Sequence, residues 1–149
     1  MRKSIKKGNA LVLVTVIMFA VALIAAALTM YFSIGNRLVH KNNQYFTRKI
    51  ELSSEVNHNY LLLLQGENDA LQSEINKLDV VGEKVSFTLN GYDSELECDE
   101  FIDSSNFTFT YSLLSTLSNK KYTYSVEINV ISTTYEMSSK EAYAVYDIS

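Results

Sequence analysis

The sequence predicts an α+β protein in which a long N-terminal helix packs on a C-terminal antiparallel β-sheet. Two patterns carry this prediction. An uncharged apolar run from Ala10 to Ile34 continues into helical periodicity as far as Gln65, and no proline interrupts the chain. After Gly82 the apolar residues recur with a period of two instead, which is typical of half-buried strands.

The apolar run from Ala10 to Ile34 is long enough to span a bilayer, which takes about 20 apolar residues. Its hydroxyl residues, Thr15, Thr29 and Ser33, are compatible with this role because a helical hydroxyl can bond back to its own carbonyls. The cations that precede the run are Arg2, Lys3, Lys6 and Lys7. The positive-inside bias therefore predicts a single-pass protein of the cytoplasmic membrane, with its N-terminus inside and its C-terminal domain outside.

The charges of the chain are sharply divided. All 17 acidic residues lie at Glu51 or later, whereas most of the 13 Lys and Arg residues lie at Lys49 or earlier. An acidic outer domain argues against nucleic acid as a partner, because phosphate binding needs a basic face. Cys98 is the single cysteine, which excludes an intramolecular disulfide, and its acidic neighbours disfavour a reactive thiolate.

The junction Lys6-Lys7-Gly8-Asn9, followed at once by the apolar run, resembles the class III leader of type IV pilins and pseudopilins. In that family a prepilin peptidase cuts after the glycine and methylates the new N-terminus. The resemblance, which extends to about Gln65, implies cleavage between Gly8 and Asn9. It also implies a pilin-like fold, and as partners the membrane, other pilin or pseudopilin subunits, the prepilin peptidase and an assembly platform protein.

The sequence departs from major pilins at two positions. Those pilins usually have an aromatic residue just after the cut and a glutamate four positions further on, whereas this chain has Asn9 and Leu13. The glutamate is thought to pair with the N-terminal ammonium of a neighbouring subunit, and a carboxylate in the membrane is costly without such a partner. Leu13 therefore makes the chain similar to the minor pilins of the PilX and GspK type, which prime assembly at or near the filament tip.

The resemblance implies a minor pseudopilin of a type IV pilus, competence or type II secretion-like filament. Two alternatives remain open. The chain can be a single-pass surface or division-complex protein that binds a partner through its sheet domain. It can also be a secreted domain, if Ala25–Ala27 imitates the small-residue site of a signal peptide.

The sequence divides into five segments. They are the basic leader 1–8, the transmembrane helix 9–34, its extramembrane continuation 35–65, a short helix and linker 66–82, and the sheet domain 83–149. Gly66 is a suitable helix stop, and Gly35-Asn36 is the weakest point of the helix. Apolar residues of the continuation recur at helical spacing: Phe46, Ile50, Tyr60, Leu61 and Leu64. We expect this stripe to pack on the sheet; a seam with a partner helix is the alternative.

The sequence also predicts the register of the first two strands. Asn90-Gly91 is a strong two-residue hairpin signal, and the residues on both sides of it alternate. The predicted cross-strand pairs are Leu89 with Tyr92, Phe87 with Ser94, Val85 with Leu96 and Lys84 with Glu97. This register places Tyr92, Leu96 and Cys98 on the apolar side and Asp93, Glu95, Glu97 and Asp99 on the solvated side.

Two or three further strands complete the predicted sheet. Phe107, Phe109, Tyr111 and Leu113 alternate in one strand, and Tyr122, Tyr124, Val126, Ile128 and Val130 alternate in the next. We expect a turn at Asn119–Lys121, a second turn near Ser138-Ser139, and a last strand from Glu141 to Ile148. Consecutive strands with short connections favour an antiparallel meander.

The chain shows no clear catalytic or metal-binding motif, so we expect no enzymatic activity and no cofactor. The carboxylates from Asp93 to Asp103 do not fit the spacing of a calcium loop, and strand alternation explains four of them. His40 and His58 lack a neighbouring nucleophile. The seven tyrosines from Tyr92 onward suit half-buried strands better than an adhesive surface. Asn106-Phe107-Thr108 matches a glycosylation acceptor, which we interpret as a chance match on an exposed strand.

Overall fold

The computed structural model describes the backbone of residues 2–148 and the side chains of residues 10–148. It confirms the predicted α+β architecture of a long N-terminal helix followed by a five-stranded antiparallel sheet. The elements are α1 (Arg2–Gln65), α2 (Asp69–Ile75), β1 (Lys84–Leu89), β2 (Tyr92–Asp103), β3 (Asn106–Leu117), β4 (Lys120–Ile131) and β5 (Thr134–Asp147). The chain divides into two compact units, Met1–Tyr45 and Phe46–Ser149.

The first unit is entirely helical where the structure describes it. Helix α1 runs without a break through Gly35 and Asn36. Thr15 Oγ1 donates to the carbonyl of Leu11 over 2.9 Å, and Thr29 Oγ1 donates to the carbonyl of Ala25 over 2.6 Å, as predicted for hydroxyls in an apolar helix. Within the described residues, α1 is long and apolar enough to span a membrane by length and composition.

The second unit contains the sheet, in which every strand pairs with its neighbour in the sequence. All four predicted pairs of the first hairpin are confirmed, from Leu89 with Tyr92 to Lys84 with Glu97. Asn90 and Gly91 both have positive φ, 52° and 82°, as the mirror-image hairpin turn requires. This turn chemistry and the alternation of the strands specify the same register, which explains why the sequence predicts it correctly.

Two later turns differ from the prediction. The β3–β4 turn is Ser118–Asn119 rather than Asn119–Lys121, and strand β5 begins at Thr134 rather than at Glu141. The β4–β5 turn is Ser132–Thr133, where both residues have positive φ without being Gly or Asn. Because Ser and Thr rarely adopt this conformation, the sequence lacks a turn signal there.

The turn predicted near Ser138-Ser139 is a bulge inside β5. Met137 pairs with Ile128 and Glu141 pairs with Val126, so residues 138–140 lie opposite the single residue Glu127. Small polar residues favour either a turn or a bulge. The predicted position of the irregularity is therefore correct, but the irregularity is a bulge and not a turn.

The prediction for the helical stripe is wrong in its main part. Leu52, Val56, Asn59 and Leu63 are the buried residues of α1 in the second unit. The predicted stripe remains largely on the surface: Phe46 is 57% exposed, Ile50 67%, Leu61 54% and Leu64 47%, and only Tyr60 is half-buried against the core. A polar residue, Asn59, stands in the middle of the true stripe, so apolar periodicity alone selected the wrong face.

Helix α2 closes the core over the sheet. Gly66, with φ of 72°, ends α1; its amide donates to Leu63 over 3.1 Å, and the amide of Glu67 donates to Leu62 over 2.9 Å. The Oδ1 atom of Asn68 then caps α2 by accepting from the Leu71 amide over 3.1 Å. The hydrogen-bonding groups at the end of α1 and at the start of α2 have partners, which allows the chain to turn sharply between the two helices. Leu71, Ile75 and Leu78 are buried in the core.

Candidate assembly surface on the long helix

The predicted processing junction lies at the start of α1. The backbone of Lys6, Lys7, Gly8 and Asn9 is helical, and their side chains lie outside the described residues. Leu13, which stands where the pilins that the leader resembles have a glutamate, is described and is 61% exposed. Its side chain is therefore available to lipid or to a neighbouring helix.

Every residue from Ala10 to Ile34 is exposed. Large apolar side chains cover this part of α1, among them Leu11, Phe19, Ile24, Met30 and Phe32. An exposed apolar surface of this extent is rare on a soluble monomer and marks a contact with lipid or protein. The first unit is thus compatible with a single-pass membrane anchor.

The apolar segment is followed by a basic stretch. Arg37 and Lys41 are exposed and four residues apart, so they lie on one face of α1. His40 Nε2 lies 3.2 Å from Gln44 Nε2, which makes this histidine part of a polar surface. His58 is also exposed, on the part of α1 that belongs to the second unit.

One flank of α1 in the second unit is joined to the β1–β2 hairpin by polar side chains. Tyr92 Oη donates to Glu51 Oε1 over 2.7 Å, and Asn90 Nδ2 donates to Glu55 Oε1 over 2.8 Å. Asn90 Nδ2 also donates to Asn59 Oδ1 over 3.1 Å. No local sequence pattern predicts these contacts, because they join residues more than thirty positions apart.

The same network reaches the centre of the sheet through Asn59. Its Nδ2 atom donates to Tyr111 Oη over 3.2 Å, and both residues are fully buried. Burial of the phenol raises the pKa of Tyr111 to about 12, against a smaller lowering by its hydrogen bonds with Ser94 and Asn59. The hydrogen bond from Tyr92 to the Glu51 carboxylate, helped by burial, likewise raises the pKa of Tyr92.

The other flank of α1 contacts the edge strand β5. Tyr60 Oη donates to the carbonyl of Tyr135 and accepts from the amide of Met137, each over 3.1 Å. Tyr135 Oη in turn donates to Gln72 Oε1 of α2. Contacts on both flanks therefore fix the rotation of α1 about its own axis against the sheet.

This fixed rotation leaves a mostly uncharged face of α1 outside, with the exposed Lys49 at its edge. Phe46, Ile50, Asn57, Leu61 and Leu64 recur at spacings of three, four and seven residues and share that face. The charged residues Arg48, Glu51 and Glu55 lie on the side that meets the hairpin, where Arg48 Nη1 pairs with Glu51 Oε2 over 2.6 Å. A helix face that water covers is normally charged, so this outer face has the composition of a contact surface.

The acidic side chains of β2 lie on the solvated side of the sheet, as the alternation predicts. Lys84 Nζ lies 3.5 Å from Glu95 and 2.7 Å from Glu97, and Thr110 Oγ1 donates to Asp99 over 2.7 Å. Partial burial of the Asp99 carboxyl raises its pKa. Within residues 10–148, the structure holds no group of three or more His, Cys, Asp or Glu side chains placed to bind a metal ion.

The tyrosines of the sheet mostly face the core. Tyr111, Tyr122 and Tyr124 are buried, Tyr92, Tyr135 and Tyr143 pack partly against them, and Tyr146 is exposed. Cys98 is buried, and burial together with nearby carboxylates raises the pKa of its thiol. Asn106, the residue of the glycosylation motif, is half-buried, and its Nδ2 atom donates to Asp103 Oδ1 over 3.0 Å.

Comparisons with protein-family models, with curated proteins and with solved structures found no match to this chain. The residues and contacts of the chain are therefore the basis for its function. They define a first unit with an exposed apolar helix and a second unit in which the remainder of α1 packs on an antiparallel sheet.

Proposed function

We propose that this chain is a minor pilin-like subunit that enters or primes a filament of the type IV pilus, competence or type II secretion class. The proposal combines the leader resemblance at Lys6, Lys7, Gly8 and Asn9 with the fold, in which a long helix precedes an antiparallel sheet. The work of such a subunit is association with other subunits, and it needs no catalytic site.

The outer face of α1 is the observation that best supports this proposal. A protein that only needs an anchor gains nothing from exposed apolar residues beyond the bilayer, yet Ile50, Leu61 and Leu64 lie well past Ile34 and are 67%, 54% and 47% exposed. A subunit whose helix packs against neighbouring helices uses both regions: first lipid, and then protein, covers Ala10–Ile34, and a neighbouring helix covers the outer face.

Leu13 leads us to expect that the subunit lies at the tip of the filament. A subunit at the tip has no subunit ahead of it whose ammonium needs a carboxylate, so a leucine is tolerated there. Immunogold labelling concentrated at one filament end is the expected result, and even labelling along the filament would contradict the tip position alone.

Processing of the leader tests the proposal directly. Intact-mass analysis of the chain extracted from membranes should find a methylated N-terminus at Asn9, and Gly8→Leu should abolish that species. Gly35→Ala is the matched control, because an added Cβ at Gly35 has nothing within 4 Å. An unprocessed Met1 in cells with an active prepilin peptidase would contradict the proposal and favour the plain anchor, and a start near Leu28 would favour secretion.

Cross-linking tests the outer face of α1. Ile50→Cys and Leu61→Cys should form covalent contacts with neighbouring subunits in membranes, because both side chains are more than half exposed on that face. Thr88→Cys, on the exposed side of β1, is the matched control. The wild-type chain, in which Cys98 is buried, gives the background level of cross-linking. Equal cross-linking of all three variants would argue against a specific face.

A further inference from the structure

We propose that the basic stretch Arg37–Lys41 of one copy docks on the acidic loop Asp79–Glu83 of a second copy of this chain. The inference rests on the proposed function in one respect: assembly is what brings the two copies together. It adds the pair of surfaces that meet and the charge that matches them.

The basic surface is exposed and carries no opposite charge of its own. No acidic residue lies between Arg2 and Ile50. Arg37 and Lys41 share a face of α1 with two exposed aliphatic residues, Ile34 and Leu38. Among the described residues, no carboxylate forms an ion pair with Arg37 or Lys41, whereas Arg48, further along, is already paired with Glu51.

The acidic surface is a short, ordered loop. Val80 is 61% exposed and Val81 is 59% exposed, and two carboxylates, Asp79 and Glu83, bracket them. The amide of Gly82 donates to the carbonyl of Cys98 over 2.7 Å, and the amide of Glu83 donates to Val80 over 3.1 Å. These bonds hold the valines outward, which lowers the entropic cost of binding a partner.

The two lysines that flank this loop in the sequence are already engaged. Lys77 pairs with Glu74 over 2.7 Å, and Lys84 pairs with Glu97 over 2.7 Å. Within residues 10–148, Asp79 and Glu83 therefore have no cationic partner.

The two surfaces match in pattern as well as in sign. Each has two like charges four residues apart beside two exposed aliphatic side chains. Charge complementarity of this kind selects the partner and its register more than it adds affinity, and the aliphatic side chains supply the buried area. The two surfaces belong to different parts of the chain, so the contact is heterologous and can repeat along a filament.

Charge reversal followed by a charge swap tests the contact. Full-length chain in a non-ionic detergent is compared by sedimentation velocity as wild type, as Arg37→Glu/Lys41→Glu, as Asp79→Lys/Glu83→Lys, and as a mixture of the two variants. Each variant alone should associate roughly tenfold more weakly than wild type, and the mixture should recover association. Lys120→Glu/Lys121→Glu makes the same change of charge elsewhere and should leave association unchanged.

Three results would overturn this contact. They are equal weakening in the control variant, failure of the mixture to recover, and association that does not weaken as salt is raised. Binding of wild type to vesicles with anionic lipid, lost in Arg37→Glu/Lys41→Glu while self-association is retained, would assign the basic stretch to the membrane instead. Leader processing and cross-linking at Leu61 report on the proposed function separately, so it can stand if this contact fails.

Discussion

The side-chain amide of Asn59 on α1 donates a hydrogen bond to the phenol oxygen of Tyr111 in the central strand β3, over 3.2 Å. Both residues are fully buried, and the other amide atom, Oδ1, accepts from Asn90 at the hairpin turn over 3.1 Å. Buried polar groups are costly unless they are paired. These two bonds join α1 to β3 and to the hairpin turn, so they help to specify where this part of α1 lies on the sheet.

Asn59→Ala should destabilise the second unit by about 1–3 kcal/mol, because it removes the hydrogen bond to the buried Tyr111 phenol as well as the one that Asn90 donates. The free energy of unfolding of the full chain in detergent measures this. Asn57→Ala, at an exposed position of the same helix, is the control and should change stability little. A similar cost at both positions would contradict a specific contribution of the buried network, since Ala has the higher helix propensity at either position.

Leu52→Ala should cost about 2–5 kcal/mol, because Leu52 is fully buried and its removal leaves a cavity. Leu61→Ala removes the same atoms from the surface, where 54% of the side chain is exposed, and should change the free energy of unfolding by less than about 0.5 kcal/mol. Chemical denaturation of both variants gives the comparison. A larger loss of stability in Leu61→Ala than in Leu52→Ala would favour the stripe predicted from the sequence and contradict the observed orientation of α1.

Tyr60→Phe should cost about 1 kcal/mol and speed hydrogen exchange at the Met137 amide, since that amide donates to the Tyr60 hydroxyl. The bond matters because β5 is an edge strand, and its groups that face away from β4 have no partner strand. Tyr146→Phe removes a hydroxyl from an exposed tyrosine and serves as control. Unchanged exchange at Met137 in Tyr60→Phe would mean that solvent replaces this contact without cost.

Alkaline titration should resolve two late tyrosines. Burial raises the pKa of Tyr111 and of Tyr124 from 10.0 to about 12 in each case. The folded-state pKa is the higher one, so the stabilisation is complete below pH 10 and is lost as the pH rises from 10 through about 12. The ultraviolet absorbance of tyrosinate follows both groups, and Tyr111→Phe should remove one late step. Titration of every tyrosine near pH 10 in the folded chain would contradict their burial.

The sequence predicted elements where two independent signals agreed. The Asn90-Gly91 turn and the alternation of Val85, Phe87 and Leu89 specify one register between them, and the structure has that register. The start of β5 was missed because Ser132 and Thr133 make a turn without a typical turn residue. The face of α1 was missed because a polar residue, Asn59, is buried through partners distant in sequence.

Only part of the candidate assembly surface could be predicted from the sequence. The apolar run Ala10–Ile34 is a local property of composition, and a sequence reports it directly. Which side of α1 faces outward depends on Tyr60, Glu51 and Glu55 reaching β5 and the hairpin, and these contacts exist only in the folded chain. The outer face with Ile50 and Leu61 therefore became visible only when the structure excluded it from the core.

The meander has a consequence for how the sheet forms. Every strand pairs with the strand made just before or just after it, and no strand is inserted between two earlier ones. Pairings between neighbours in sequence are reached quickly, because little chain has to be closed into a loop. Synthesis order and pairing order coincide, so β2 can pair as soon as it follows β1, and the growing sheet never waits for a segment still to be made.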